Sequence, residues 1–167
     1  IIVGAGPAGI GVAVVLKRMG LNFVILEKED VGASFKKWPE ETQFISPSFT
    51  GNFFKMPDLN AITPETSPAF NLLTEHPVGD EYQLYLKAIS DFYELCIDTG
   101  VTVETVQKKK DIFTVTTDKG LYQSQFLIWA AGEYQYPNRH AFNGAELCTH
   151  YSEITSFEDI KTEDRIV

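Results

Sequence analysis

Apolar and polar positions change their period several times along this chain of 167 residues, and each change predicts an element. Ile1-Ile2-Val3 is a short apolar run that stops at Gly4-Ala5-Gly6-Pro7-Ala8-Gly9. A period of three to four follows, with Ile10, Val14 and Leu16 on one side, and predicts a helix over 7–19. Lys17 and Arg18 suit its negative end, and Gly20 suits its stop. Phe23-Val24-Ile25-Leu26 is a second apolar run, closed by Glu27. Periodicity then lapses over 28–79, which holds Pro39, Pro47, Pro57, Pro64, Pro68 and Pro77. It returns with Tyr82, Tyr85, Leu86, Ile89, Phe92, Tyr93 and Cys96, predicting a helix from an Asp80 cap to about Thr99, stopped by Gly100. On this reading Cys96 is a small core residue, and Val101-Thr102-Val103 is a third strand of a parallel sheet. Two alternating runs, 112–117 and 121–126, flank Asp118-Lys119-Gly120 and predict a β-hairpin, with Lys108-Lys109-Lys110 as a solvated turn before it. Phe126-Leu127-Ile128-Trp129-Ala130 is a continuous apolar run, as expected of a buried parallel strand, and ends at Ala131-Gly132.

The order is therefore βαβ, long loop, helix, strand, β-meander, strand. It predicts an α/β class: a doubly wound parallel sheet with an antiparallel β-meander inserted. A simple NAD dehydrogenase would repeat βαβ in its second half instead.

The spacing Gly4-x-Gly6-x-x-Gly9 between a strand and a helix is the layout that holds a dinucleotide. Gly4 makes the tight turn, Gly6 lets backbone approach a pyrophosphate, and Gly9 lets helix and strand pack closely. The start of the helix just after Pro7, from Ala8 on, presents unpaired amides to the phosphates. Glu27, at the end of the second strand, can accept hydrogen bonds from both adenosine ribose hydroxyls. An acid there disfavours a 2′-phosphate, so the site fits FAD or NAD better than NADP.

Composition narrows the picture. The chain is 44% hydrophobic and 13% aromatic, enough for one packed domain. A net charge of −9 argues against nucleic acid or an anionic membrane as partner. Residues 1–16 carry no charge but contain Gly and Pro and no basic start, so they read as neither signal nor span, and the expected compartment is the cytoplasm. Cys96 and Cys148 are far apart, so no C-x-x-C redox pair is present. His76 and His140 lack ligand spacing for a metal, and His150 reads as a structural hydrogen-bonding residue. The loop 28–79 is rich in aromatics (Phe35, Trp38, Phe44, Phe49, Phe53, Phe54, Phe70) and fits either a satellite hydrophobic cluster or a wall around a flat cofactor ring. The chain begins inside a strand and stops at Arg165-Ile166-Val167, which reads as the opening of another; a larger parent protein is expected.

With Gly4, Gly6, Gly9, Glu27 and Ala130-Ala131-Gly132 in this order, the chain resembles the FAD domain of two-dinucleotide flavoproteins. Val31-Gly32-Ala33-Ser34-Phe35-Lys36-Lys37-Trp38-Pro39 is similar to the Gly-Gly-x-Trp segment of flavin-containing and Baeyer–Villiger monooxygenases, including bacterial members linked to cation-efflux operons. Pro137, Gly144, His150 and Ser152 are similar to the segment that follows in those proteins. Ala33 stands where their second glycine does, and Phe35 where the tryptophan would. Phe142-Asn143-Gly144 lies five residues before His150 instead of three. Bacillithiol-disulfide-reductase-like flavoproteins share a similar loop and also lack a redox cysteine pair, so both branches stand.

The resemblance implies that residues 1–167 form an FAD-binding domain, an incomplete segment of a larger flavoprotein whose NAD(P)H domain follows. Gly4, Gly6, Pro7, Ala8 and Gly9 would hold the FAD pyrophosphate, and Glu27, with Lys28 beside it, the ribose. Gly32, Ser34 and Trp38 would lie along ribitol and flavin. Val106, taken as just past the third strand, would offer its backbone to adenine, while Ala131 and Gly132 would pass close to the cofactor. The implied activity is NAD(P)H-linked flavin oxidoreduction of the monooxygenase kind on a small-molecule substrate. A disulfide reductase of the same fold and a non-catalytic flavin-binding redox module are the alternatives. No catalytic residue and no metal ligand is assigned, and a homodimer is left open.

Overall fold

The computed structural model describes residues 1–49 and 58–161. Phe53, Phe54, Pro57 and the strand expected at 165–167 lie outside the described residues.

The first apolar run pairs only where its backbone is sheltered on both sides. β1 (Ile2–Val3) lies between β2 (Ile25–Glu27) and β7 (Ile128–Trp129), and β3 (Ile97–Thr99) joins the far side of β2. All three pairings are parallel, with Ile2 opposite Ile25 and Ile128, and Ile25 opposite Ile97. Side chains alternate across these strands, and that explains why the runs are apolar throughout. Ile2, Ile25, Ile97 and Ile128 point to one side, under the helices α1 (Pro7–Arg18) and α4 (Gly79–Phe92). Ile1, Val24, Leu26 and Leu127 point to the other, under a meander of β4 (Val103–Lys109), β5 (Ile112–Thr117) and β6 (Gly120–Ser124). Helices thus cover one face and the meander the other, in the α/β class expected.

α1 opens on Pro7, where a missing N–H costs nothing, and buries Gly9, Ile10, Ala13 and Val14. Lys17 and Arg18 occupy its last turn, and Gly20 leaves it with φ +69°. α4 buries Tyr82, Tyr85, Leu86 and Ile89, while Asp80 and Glu81 face the positive end. Two short helices, α2 (Ala33–Lys36) and α3 (Pro68–Leu72), interrupt the long loop.

Four expectations are corrected. First, α4 ends at Phe92 and not near Thr99, and Asp80 lies in its first turn instead of capping it, the cap position being Val78. Glu94 takes φ +47°, and the chain re-emerges as β3, with the Ile25 amide donating to the Cys96 carbonyl at 2.9 Å. The free edge of β2 offers a full row of backbone partners, and this outweighs a helical period that Cys96 appeared to prolong. Cys96 is accordingly exposed, not core.

Second, the third parallel strand is Ile97–Thr99, not 101–103; Val101 is buried just beyond it, and Val103 opens the meander. Third, Lys108 and Lys109 belong to β4, and only Lys110, at φ +56°, takes a left-handed turn conformation before β5. Lys108 Nζ lies 5.0 Å from the Phe113 ring centre. Fourth, the run before Ala131 is not buried throughout. β7 is outermost among the described strands, and Trp129 and Phe126 are 61% and 77% exposed. The hairpin turn at Asp118-Lys119 falls where the sequence put it.

Candidate dinucleotide-binding site

The carboxyl ends of β1, β2 and β7 converge, and the residues that follow them form one cluster. β1 ends at Gly4, whose φ of +102° suits only glycine; a Cβ there would sit 2.3 Å from the Ala130 carbonyl oxygen. The Ala130–Ala131 backbone after β7 therefore crosses directly over the turn, and Gly132 follows at φ +81°, exposed. A Cβ on Gly9 would lie 2.0 Å from the Gly4 carbonyl oxygen, so the turn and α1 are in backbone contact. Gly6 differs, because a Cβ there would meet no atom within 4 Å. The space above Gly6 is open, and the start of α1 beyond it, at Pro7 and Ala8, has no side-chain cap. An uncapped helix start facing open space offers donors to an anion.

Glu27 closes the side of this opening, but it does not stand free. Its Oε2 accepts from the Ala5 amide at 2.7 Å, and its Oε1 accepts from the Glu29 amide at 2.9 Å. Each carboxylate oxygen has a second lone pair, so hydroxyl donors can still be received there. Lys28 beside it is exposed.

The loop after β2 is drawn into the same cluster. The Gly32 amide donates to the Ala5 carbonyl at 3.0 Å. Gly32 takes φ +67°, and a Cβ would press 2.9 Å from Leu86 Cδ1. Asp30 accepts from the Val31 amide and pairs with Lys87 at 2.6 Å; the Lys87 hydrogen bond holds its carboxyl below the usual range.

Ser34 is exposed on α2, whereas Trp38 is half-buried in a ring cluster. Phe35 lies 5.0 Å from Trp38 and 4.8 Å from Tyr82, and Phe44 lies 5.3 Å from Trp38 and 4.5 Å from Tyr82, all between ring centres. The aromatic loop thus packs onto α4, with Phe35 and Phe44 against the main core, although Phe70 is 70% exposed and outside it.

Two tyrosines read from sequence only as an apolar stripe have polar work as well. The Tyr82 hydroxyl donates to the Asn60 carbonyl at 2.7 Å, and burial pushes its pKa upward. The Tyr85 hydroxyl accepts from the Ile62 amide at 2.8 Å and lies 2.7 Å from Thr66 Oγ1. Their i, i+3 spacing was visible; the hydroxyl partners, distant in sequence, were not.

Gly4, Gly6, Pro7, Ala8, Gly9, Glu27, Gly32, Ala131 and Gly132 are thus gathered at the strand ends. Val106 is not among the residues that follow β3. It lies inside β4 opposite Val115, packed with Val101 and Leu26, because the third strand ends earlier than expected. The segment leaving β3 is Gly100-Val101, and the Val101 amide donates to the Glu27 carbonyl at 2.9 Å. His150 has the structural role expected, with Nδ1 2.9 Å from Ser152 Oγ and accepting the Ser152 amide at 3.1 Å. Among the described residues no group of three metal-ligating side chains exists. Cys96 and Cys148 are both free and exposed. No helix among them is long and apolar enough to cross a membrane.

A parallel sheet that gathers a glycine turn, an acid and a closely passing backbone at its strand ends defines a Rossmann-like dinucleotide-binding domain. The comparison with known families makes this specific. The chain belongs to the pyridine nucleotide-disulphide oxidoreductase family, whose model matches residues 1–167. It is 31% identical over 142 residues to the uncharacterized oxidoreductase CzcO of Bacillus velezensis, covering 83% of this chain and 37% of that protein. It is 27% identical to the probable indole-3-pyruvate monooxygenase YUCCA1 of Arabidopsis thaliana, covering 100% of this chain and 40% of that one. Among solved structures it is similar to the bacillithiol disulfide reductase Bdr of Staphylococcus aureus. The TM-score is 0.71 at 28% identity, over 87% of this chain and 42% of that one. The chain spans about two fifths of the length of the curated relatives it matches.

Proposed function

We propose that residues 1–167 are the FAD-binding domain of an NAD(P)H-linked oxidoreductase of the monooxygenase-like branch, acting on a small-molecule substrate. The observation that carries this is the open space over Gly6 at the uncapped start of α1, bordered by Glu27. The residues present fit a dinucleotide: glycine where a Cβ would block the turn, backbone donors for phosphate, and an acid with acceptor capacity for ribose. In this reading the amides at Ala8 and Gly9 bind the pyrophosphate. Glu27 orients the ribose while holding the Ala5 amide, and its negative charge disfavours a 2′-phosphate. Gly32 and Ser34 border the ribitol side, and Trp38 stiffens that border through its ring contacts. The Ala131–Gly132 backbone limits water on the far side. Bound there, FAD would supply two-electron chemistry, accepting hydride from a nicotinamide and delivering electrons to oxygen. The nicotinamide site belongs to a domain beyond this segment, and the protein functions in the cytoplasm.

The similarity to bacillithiol disulfide reductase Bdr favours a second reading, a low-molecular-weight disulfide as the electron acceptor. One experiment separates the two. The full-length protein is purified, its flavin content measured, and NADPH oxidation followed with oxygen alone and with a panel of small disulfides under argon. Oxygen consumption without disulfide turnover supports the first reading, and disulfide turnover under argon supports the second. A full-length protein that neither carries nor takes up FAD overturns both.

A further inference from the structure

One side chain next to the cluster does work that the dinucleotide motif does not account for. Gln83 sits on α4 between Tyr82 and Leu86, 7% exposed, on a buried helix face whose other polar, non-aromatic side chain, Ser90, turns back to donate to the Leu86 carbonyl of the same helix. Its Nε2 donates to the Val31 carbonyl at 3.0 Å. That carbonyl belongs to the same peptide group as the Gly32 amide, which donates to the Ala5 carbonyl at 3.0 Å. One peptide plane is therefore held at both ends, by α4 on one side and by the glycine turn on the other. Ala5 in turn donates its own amide to Glu27 Oε2 at 2.7 Å. Gln83, the Val31–Gly32 peptide, Ala5 and Glu27 form one continuous hydrogen-bonded frame.

The frame has a reason to need holding. Gly32 is in the left-handed region at φ +67°, and glycine has other wells of similar energy open to it. A rotated Val31–Gly32 peptide would withdraw the donor from Ala5 and loosen the turn beside Gly6. An apolar side chain at 83 could fill the same space, whereas a buried amide costs desolvation unless its donor is used.

We infer that Gln83 is a positioning residue for the dinucleotide site, fixing the Val31–Gly32 peptide so that the glycine turn and Glu27 are preorganised before any cofactor arrives. This rests on the FAD reading above. In the full-length, deflavinated protein, Gln83→Met keeps the volume and removes the donor. It should weaken FAD affinity about three- to tenfold, the size of one net hydrogen bond. Gln83→Glu supplies a chemical rescue: a neutral carboxyl can donate to the Val31 carbonyl and a carboxylate cannot. Its FAD affinity, relative to wild type, should recover as pH falls from about 8 towards 5, because burial raises a carboxyl pKa. Gln83→Met should show no such recovery.

Wild-type affinity in Gln83→Met, or no recovery of Gln83→Glu relative to Gln83→Met, overturns the inference. Should both variants fail to fold, hydrogen exchange of the wild-type protein decides: the Gln83 side-chain amide and the Gly32 amide should both be protected without FAD, and free exchange at the Gln83 side chain rejects the frame. A wild-type protein without FAD affinity would instead reject the proposed function, and the exchange measurement would still judge Gln83.

Discussion

The glycine turn and the carboxyl-terminal stretch 132–160 are held by different forces. Around the turn, Ile2, Ala5, Ile10, Ala13 and Ile25 are fully buried, and the backbone is locked into a parallel sheet. Along 132–160 the only regular structure is three single-turn 3₁₀ helices, Ala145–Leu147, Tyr151–Glu153 and Phe157–Asp159. Tyr134, Tyr136 and Leu147 there are each at least 85% exposed. Polar surface contacts hold that stretch. Arg139 pairs with Glu153, and Thr42 Oγ1 meets the Tyr151 hydroxyl at 2.9 Å. Glu41 accepts from the Ser156 hydroxyl and, at 2.9 Å, from the Phe157 amide. Burial of apolar area dominates folding energetics, whereas exposed ion pairs are worth about 0–1 kcal/mol. The turn is therefore rigid by construction, and the stretch is the softer partner.

That contrast can be broken at graded cost. Ile10→Ala removes a fully buried side chain under the sheet and should destabilise the protein by about 2–5 kcal/mol in denaturant unfolding. Gly9→Ala forces a Cβ against the Gly4 carbonyl and should cost about 1–3 kcal/mol together with cofactor retention, read from unfolding and bound flavin. Tyr85→Phe removes the acceptor of the part-buried Ile62 amide and should cost about 1 kcal/mol by thermal unfolding.

Two pH dependences sharpen the picture. Burial, then the neighbouring Tyr85 and Asp58, raise the Tyr82 hydroxyl above its ordinary 10.0, so folding favours the neutral form. The stability it adds is complete below pH 10.0 and is lost as pH rises beyond it; Tyr82→Phe should flatten that alkaline slope in unfolding titrations. In the softer region, the Ser156 hydroxyl and then the Phe157 amide hold Glu41 below its ordinary 4.5. Its contribution is present above pH 4.5 and fades as pH falls through the folded value. Glu41→Gln should raise exchange at the Phe157 amide at neutral pH and leave the Ala5 amide untouched. Equal effects at both amides would end the distinction between the regions.

Much of the turn was legible in the chain because its chemistry is local. Gly4, Gly6 and Gly9 are placed by spacing along one strand, one turn and one helix, and the sheet needs only apolar neighbours to fix them. Glu27 was legible as the acid at the end of the second strand; its hydrogen bond to Ala5 was not, since nothing near it in sequence predicts that contact. The misplacement of β3 has the opposite cause. Residues 93–96 carry a helical period, and only pairing with β2 reveals a strand at Ile97. That shift also moved Val106 away from the position just past the third strand. Trp129 reads as core because it continues the apolar run of Leu127 and Ile128, which pack against the two core clusters, yet it faces outward at the end of a two-residue strand.

Local pattern alone determined the βαβ unit, the glycine turn, the acid that follows it and the β5–β6 hairpin of the meander, because periodicity and turn chemistry act over a few residues. Tertiary structure decided the end of α4, the exposure of Cys96 and Trp129, the packing of Phe35 and Phe44 between Trp38 and Tyr82, and the frame that runs from Gln83 through Gly32 and Ala5 to Glu27. The frame alone depends on partners 22 to 52 positions apart, Ala5 with Glu27 and Val31 with Gln83. Which of several open backbone groups and side chains meet at such range is settled only when the sheet and its covering layers close together.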